Sequence, residues 1–263
     1  MPIAATLRVV PAAAEAVMKT RLQTSGLGFY ALVWLGFPIF NLLTIALIYR
    51  DNPALRDYAV VGGAGMAMLF GMQFNAAEIL DGERQRGTLG NLFLAPAPRY
   101  AWLAGFQLFS ICESLITAAF TVGVGVAAFG LPVSFNVAAL LMTVLLFMVC
   151  MWGFSMLVGA IGLAIRDANQ LSNLLFPIML LLAGTMYPIA LMPGWIEAPA
   201  RCLPFGYGIS AMVDAVTRGS SITDLSGDLI PLAGFSVGLP IVGIAAFRAV
   251  ERRARRSGAL ELV

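Results

Sequence analysis

Charge-free apolar runs recur along this chain, separated by short polar or proline-bearing stretches. Phe29 to Tyr49 holds 21 residues without a charge, and Tyr58 to about Ile79 is a second run that closes with Asn75 and Glu78. Leu103 to Phe129 is the third, interrupted by the single acid Glu113, and Asn136 to Ile165 is a long fourth. Asn173 to about Tyr187 is a short fifth, and Leu229 to Val250 is the sixth, with Arg248 near its end. A helix needs about 20 apolar residues to cross a hydrocarbon core of about 30 Å. The runs therefore predict six membrane-spanning helices. They are continuous rather than alternating at period two, which argues against a β-barrel. The first 28 residues are different, because Arg8, Glu15, Lys19 and Arg21 interrupt them. Glu15 and Lys19 stand at i, i+4, and Val10, Ala14, Val17 and Met18 share one helical face. This segment reads as an amphipathic helix lying at a membrane interface.

Composition moves the reading in the same direction. Of 263 residues, 60% are hydrophobic and only 11% charged, whereas a soluble domain carries about 25% charged residues. The positive-inside rule sets the orientation. With the N-terminus inside, 12 of the 16 basic residues fall on the cytoplasmic side and only Arg50, Arg56, Arg201 and Arg218 on the outer side. Both termini are then cytoplasmic, and the arginines from Arg252 to Arg256 form a basic anchor compatible with anionic lipid headgroups.

Several kinds of chemistry are excluded. The one lysine, Lys19, follows Met18, so no Walker phosphate loop is present, and a chain without histidine has no histidine-based general base or triad. Cys112, Cys150 and Cys202 have neither the number nor the spacing of a disulfide framework or a metal site. The net charge of +2 leaves no footprint for nucleic acid.

Two segments exceed what a plain membrane anchor requires. Between the second and third runs lies Asp81-Gly82-Glu83-Arg84-Gln85-Arg86-Gly87-Thr88-Leu89-Gly90, followed by Leu92, Phe93, Pro96 and Pro98. Thr88 is placed to cap a short helix whose Leu89, Leu92 and Phe93 share a face, with the prolines ending it. A highly charged turn thus leads into a short amphipathic helix. The second segment, Met186 to Met212, contains Tyr187, Pro188, Met192, Pro193, Gly194, Trp195, Pro199 and Pro204. It is too apolar for a solvated loop and too proline-rich to cross as one helix. Short re-entrant helices at the outer face, with Trp195 and Tyr207 at the interface, fit it. Elsewhere, Gly234 and Gly238 form a Gly-x-x-x-Gly, and Ala67 with Gly71 a small-residue pair, which permits close helix approach. Glu113 is an intramembrane acid and is read either as lining a pathway or binding a cationic substrate, or as a protonated or hydrogen-bonded packing residue beside Ser110 or Ser114. Met66, Met68, Phe70, Met72 and Phe74 crowd the second run, suiting either an adaptable hydrophobic pocket or ordinary packing.

Taken in order, these features resemble those of type-2 ABC exporter permeases. Glu83-Arg84-Gln85-Arg86-Gly87-Thr88-Leu89 with Pro96 is similar to the family's coupling-helix region. Tyr187-Pro188 through Pro193-Gly194-Trp195 to Pro204 is similar to its external re-entrant region, and Arg255-Arg256-Ser257-Gly258-Ala259-Leu260-Glu261 to its basic tail. The bacterial drug-resistance branch, of the daunorubicin-exporter type, is the nearest in character. The resemblance implies a non-catalytic transmembrane subunit that exports a drug-like or other amphiphilic substrate. ATP and Mg would be held by a cytosolic ATP-binding subunit present in two copies, alongside a second permease, identical or paralogous. It assigns coupling to Glu83, Arg84, Arg86, Gly87, Thr88, Leu89, Leu92 and Phe93, and the external turn to Pro188, Pro193, Gly194, Trp195 and Pro204. The glycine at position 90 departs from the better helix formers of many relatives.

The expected protein is therefore an all-α polytopic membrane protein. Residues 1–28 form an amphipathic cytoplasmic segment, and residues 29–250 a six-span domain with a coupling loop at 81–99 and a re-entrant segment at 187–212. Residues 251–263 form a basic cytoplasmic tail. Arginine-over-lysine usage with abundant alanine is associated with GC-rich bacterial genomes, which points to a bacterial plasma membrane. The rivals are a proton- or sodium-driven transporter, for which Glu113 is the one good acid but no internal repeat is visible, an intramembrane enzyme resting on Glu78 and Asp81, and a channel.

Overall fold

The computed structural model describes residues 11, 12, 14, 15, 18, 19, 26–85, 99–165 and 167–256. Among these residues the fold is all-helical. In chain order the helices are α1 (Leu27–Ile48), α2 (Pro53–Gln85), α3 (Arg99–Phe129), α4 (Val137–Ile165), α5 (Ala168–Leu182), a 3-10 turn (Ile189–Leu191), α6 (Gly194–Arg201), α7 (Pro204–Thr217) and α8 (Ser226–Arg256).

The helix starts follow from local chemistry. Asn52 accepts from the Leu55 backbone N–H at 3.2 Å ahead of Pro53, and Asn136 accepts from the Ala139 N–H at 3.1 Å. Asp167 accepts from the Gln170 N–H at 2.8 Å. Each satisfies a donor that the first helical turn leaves open. The Asp167 cap corrects the expected fifth run. The helix begins at Ala168 and ends at Leu182, not Asn173 to Tyr187. Residues 183–187 instead form a turn seated on α2. There Gly184 adopts φ +65°, and the Tyr58 hydroxyl donates to its carbonyl at 3.0 Å. Gly62 lets the Thr185 carbonyl lie directly against α2, since a Cβ at Gly62 would collide with it.

Two helices run further than their apolar stretches. At 33 residues α2 is about 50 Å long, and at 31 residues α8 is about 46 Å, against a core of about 30 Å. Glu83 and Arg84, expected in a turn, therefore lie in the last turn of α2, and residues 251–256 of the expected tail continue α8. Once a helix is under way each added residue brings one more backbone hydrogen bond, so a charged continuation beyond the apolar stretch adds little penalty. Arg86, Gly87, Thr88, Leu89, Leu92 and Phe93 lie outside the described residues. Of the expected N-terminal helix, Glu15 and Lys19 pair at 2.7 Å, while Val10 and Val17 also lie outside them.

Residues 105–129, 137–165 and 226–250 are long and apolar enough to cross a membrane, and 34–48 and 168–182 are shorter apolar helices. Large apolar side chains cover the outside of the bundle: Leu32, Phe40 and Leu47 on α1, Leu141 and Leu145 on α4, and Ile230 and Ile241 on α8 are all largely exposed. Such a continuous apolar exterior has lipid, not water, as its solvent.

Inside, α4 and α8 run in the same direction and make the closest long contact. The Cys150 thiol meets the Leu232 carbonyl at 3.4 Å, and backbone approaches backbone where Gly153 faces Pro240 and Gly243 faces Gly153. Gly234 and Gly238, the pair flagged in the sequence, have nothing beside them and point away from the bundle. Helices α2 and α3 form an antiparallel hairpin, with Val60 against Gly125 and Gly71 against Ser114.

Candidate functional site

Three features of the bundle carry chemistry. The first is a strip of buried polar side chains along α3: Gln107, Ser110, Glu113, Ser114, Thr117 and Thr121. Their spacing of three and four keeps them on one side of the helix. The hydroxyls use the helix itself in the absence of water. Ser110 donates to the Phe106 carbonyl at 3.3 Å, Thr117 to that of Glu113 at 2.9 Å, and Thr121 to that of Thr117 at 2.8 Å. Across the helices, Gln107 Nε2 donates to Ser155 Oγ on α4 at 2.6 Å, and Gln73 Nε2 on α2 reaches the Ser172 carbonyl on α5 at 3.5 Å. Among the described residues, Gln73 Oε1, Gln107 Oε1, Ser114 Oγ and Ser172 Oγ are buried without a hydrogen-bond partner. Glu113 is 8% exposed and belongs to this strip.

The second feature is an aromatic cluster half open to the outside. Phe70 stacks on Phe37 of α1 at 5.3 Å between ring centres and on Phe74 at 4.5 Å, and Phe176 of α5 meets both Phe70 and Phe74 edge-on at 5.3 and 5.5 Å. The crowded second run thus divides by face: Met66, Met68 and Met72 are buried, while Phe70 and Phe74 are only half-buried beside α1 and α5. The sequence named the two phenylalanines of α2 but not Phe37 or Phe176, because nothing in their spacing links three helices.

The third feature is the end of the bundle where residues 183–225 lie. Pro188 leads into the 3-10 turn, Pro193 precedes α6, Gly194 is its first residue, and Trp195 stands 76% exposed on it. Pro204 is the first residue of α7, where a missing N–H is harmless. Prolines that interrupt one long helix therefore start two short ones. Helix α7 is buried along most of its length against α2, α4 and α8. Its last carbonyls, Ala215 and Val216, accept from the Asn136 and Ser134 N–H groups of the α3–α4 connection at 3.2 and 3.0 Å. The structure thus brings the predicted external residues to one end of the bundle. Helical Glu83 and Arg84 lie at the far end of α2, and Glu113 is in the interior between.

Residues 15–216 of the chain match the family model described as ABC-2 type transporter. The chain belongs to this family. It is a membrane subunit of an ABC transporter, a permease. Permeases of this kind are generally non-catalytic and work with an ATP-binding subunit that is a separate chain, in keeping with the missing phosphate loop here. The membership gives the energy source to that subunit and sets aside the gradient-driven rival. No curated protein matches the chain.

Proposed function

We propose that this permease is the transmembrane half of a bacterial exporter that moves a drug-like or other amphiphilic cargo outward. On this reading it spans the plasma membrane six times, with both termini cytoplasmic. It pairs with a second permease, identical or paralogous, and with two copies of the ATP-binding subunit, which holds ATP and Mg. The observation that carries the amphiphile is the half-open cluster of Phe37, Phe70, Phe74 and Phe176 near the middle of α1 and α5. Four soft rings on three helices offer an apolar cargo a surface that adapts to its shape without a fixed polar code. The orientation rests on the basic residues, since Arg84, Arg248, Arg252 and Arg253 belong to the end opposite α6 and α7.

The coupling role of Glu83, Arg84, Arg86, Gly87, Thr88, Leu89, Leu92 and Phe93 is part of the proposal. It is supported by their pattern and by α2, a continuous rod that carries any push on Arg84 to the aromatic cluster. Pro188, Pro193, Gly194, Trp195 and Pro204 form the re-entrant cap over the exit. Glu113 enters as a residue of the interior strip, reached by cargo only when α2 and α3 part. Transport lost with ATP hydrolysis retained in Glu113→Gln supports that role, and unchanged transport assigns Glu113 to packing.

The test of the whole reading is purification of the chain, tagged at its C-terminus, from native membranes in mild detergent. Vanadate-sensitive ATP hydrolysis and a co-eluting ATP-binding polypeptide are expected. Charge reversal of Arg84 and Arg86 to Glu is expected to remove that polypeptide from the eluate. Unchanged co-elution with unchanged transport overturns the coupling assignment.

A further inference from the structure

A cavity of about 160 Å³ opens at the capped end, between the second turn of α2, the first turn of α8 and the junction of α6 with α7. Tyr58, Ile189, Arg201, Tyr207, Ser210 and Asp228 all line it. The charges in and around it are unequally matched. Arg201 is engaged by Glu197 at 2.7 Å, and the neighbouring acid Asp214 is engaged by Arg218 at 2.8 Å. Asp228 is half-buried, shares the cavity wall with the Ser210 hydroxyl, and feels Arg201 only at longer range. Among the described residues no basic side chain stands within ion-pair distance of it. Both tyrosine hydroxyls are already committed, Tyr58 to the Gly184 carbonyl at 3.0 Å and Tyr207 to the Arg201 carbonyl at 2.9 Å. Those bonds fix the two rings on the walls without spending them on Asp228.

A carboxylate short of a cation, beside two anchored aromatic rings and an isoleucine, suits a positive charge with an apolar coat. A hard metal ion is a poor fit. It asks for six or more oxygen ligands, and one carboxylate with one hydroxyl falls far short. Among the described residues no group of three metal-ligating side chains exists. An alkylated ammonium needs only a counter-ion and ring faces. The volume is well below the ~300 Å³ of drug-sized sites, so it admits a headgroup and not a whole amphiphile. We propose that this cavity binds the ammonium group of an amphiphile, of choline or ethanolamine size, with Asp228 as its counter-ion and Tyr58 and Tyr207 as its walls. The inference does not rest on the transport reading. The ammonium has two sources, a phospholipid of the surrounding leaflet or a cationic amphiphile leaving the protein.

Asp228 also lies in the first turn of α8, where an acid offsets the helix dipole. That role predicts an effect on stability and none on ligand choice, so the experiment reads ligand choice. The permease, purified with whatever subunits accompany it, is titrated calorimetrically in non-ionic detergent with decyltrimethylammonium, decylphosphocholine and the anionic decyl sulfate. Decyltrimethylammonium is expected to bind at least tenfold more tightly than decyl sulfate. Asp228→Asn is expected to abolish that preference, and Ser210→Ala, which leaves the charge in place but removes the hydroxyl that lines the cavity with it, to reduce it about threefold. Equal binding of decylphosphocholine assigns the site to a phospholipid headgroup, and its rejection to a cationic amphiphile; both support the site. A preference that is absent in the wild type, or undiminished in Asp228→Asn, overturns it. Should Asp228→Asn fail to fold, an undiminished preference in Ser210→Ala overturns it equally.

Discussion

The α4–α8 contact and the α2–α3 contact both hold long helices together, yet they are built differently. Along α4 and α8 the backbones themselves touch. Gly153 lies against the Leu239–Pro240 peptide and Gly243 against the Gly153 carbonyl, with Cys150, Met156 and Phe247 filling the remainder. Along α2 and α3 side chains mediate the contact. Gly71 receives the Ser114 hydroxyl, Gly125 receives Val60, and the buried strip from Gln107 to Thr121 follows the same helix. Backbone cannot retreat from an added methyl group, whereas a hydroxyl can rotate or be removed. One contact is a fixed seam, and the other has alternatives available to it. In a protein that must change shape when a partner hydrolyses ATP, motion is expected at the contact with alternatives.

The largest test of that contrast is Gly153→Ala. Its methyl group would meet the Pro240 nitrogen and the Leu239 carbonyl carbon, which are backbone atoms of a packed helix. A loss of about 3 kcal/mol is expected, seen as a large fall in Tm in detergent with no single side-chain change on α8 restoring it. Gly71→Ala comes next, at about 1–2 kcal/mol. Its methyl group meets the Ser114 hydroxyl, while Ser114 Cβ stands back at 3.4 Å. The double variant Gly71→Ala with Ser114→Ala is therefore expected to regain most of the wild-type Tm. Failure of the rescue would show that α2–α3 is as rigid as α4–α8.

A smaller effect is expected at Gln107 and Ser155, joined at 2.6 Å. A double-mutant cycle of Gln107→Leu and Ser155→Ala should return a coupling of about 1 kcal/mol. A coupling near zero would mean that the strip is held by packing alone. The smallest effect lies outside the bundle, before α8. The Ser221 hydroxyl and N–H both donate to Asp224, at 2.6 and 2.9 Å, and hold its carboxyl below its ordinary value near 3.8. A carboxylate whose folded value is lowered stabilises the fold above the unfolded value and loses that contribution as pH falls through the folded one. The small Tm advantage of the wild type over Asp224→Asn should thus be present above pH ~4 and vanish in stronger acid. An advantage that grows as pH falls would reverse the assignment.

Much of this was legible in the residues. An all-helical membrane protein follows from long runs with few charges, and the sequence already shows that this chain carries no Walker phosphate loop. The boundary of α5 was legible too, since Asp167 and Gln170 stand three apart in the manner of a capping box, although the uninterrupted apolar stretch starts only at Asn173. The aromatic cluster was half legible. Phe70 and Phe74 announce themselves by crowding, while Phe37 and Phe176 join them only once α1 and α5 pack on α2. The glycine pair was legible only as a spacing. Within the chain Gly234 and Gly238 face outward, and the contact with α4 uses Gly243 instead.

What the sequence by itself determined is the set of properties that each segment carries alone: apolar length, capping, the sign of flanking charge, and the presence or absence of whole motifs. These depend on neighbours in the chain, because a helix in lipid satisfies its own backbone. The tertiary structure decided which face of each helix is inside. That choice separates buried Met72 from half-open Phe70, sets Asp228 beside two tyrosines from distant helices, and aims Gly71 at Ser114. In an apolar solvent hydrophobicity no longer tells inside from outside, so the choice falls to shape and to a few polar contacts, which only the packed bundle reveals.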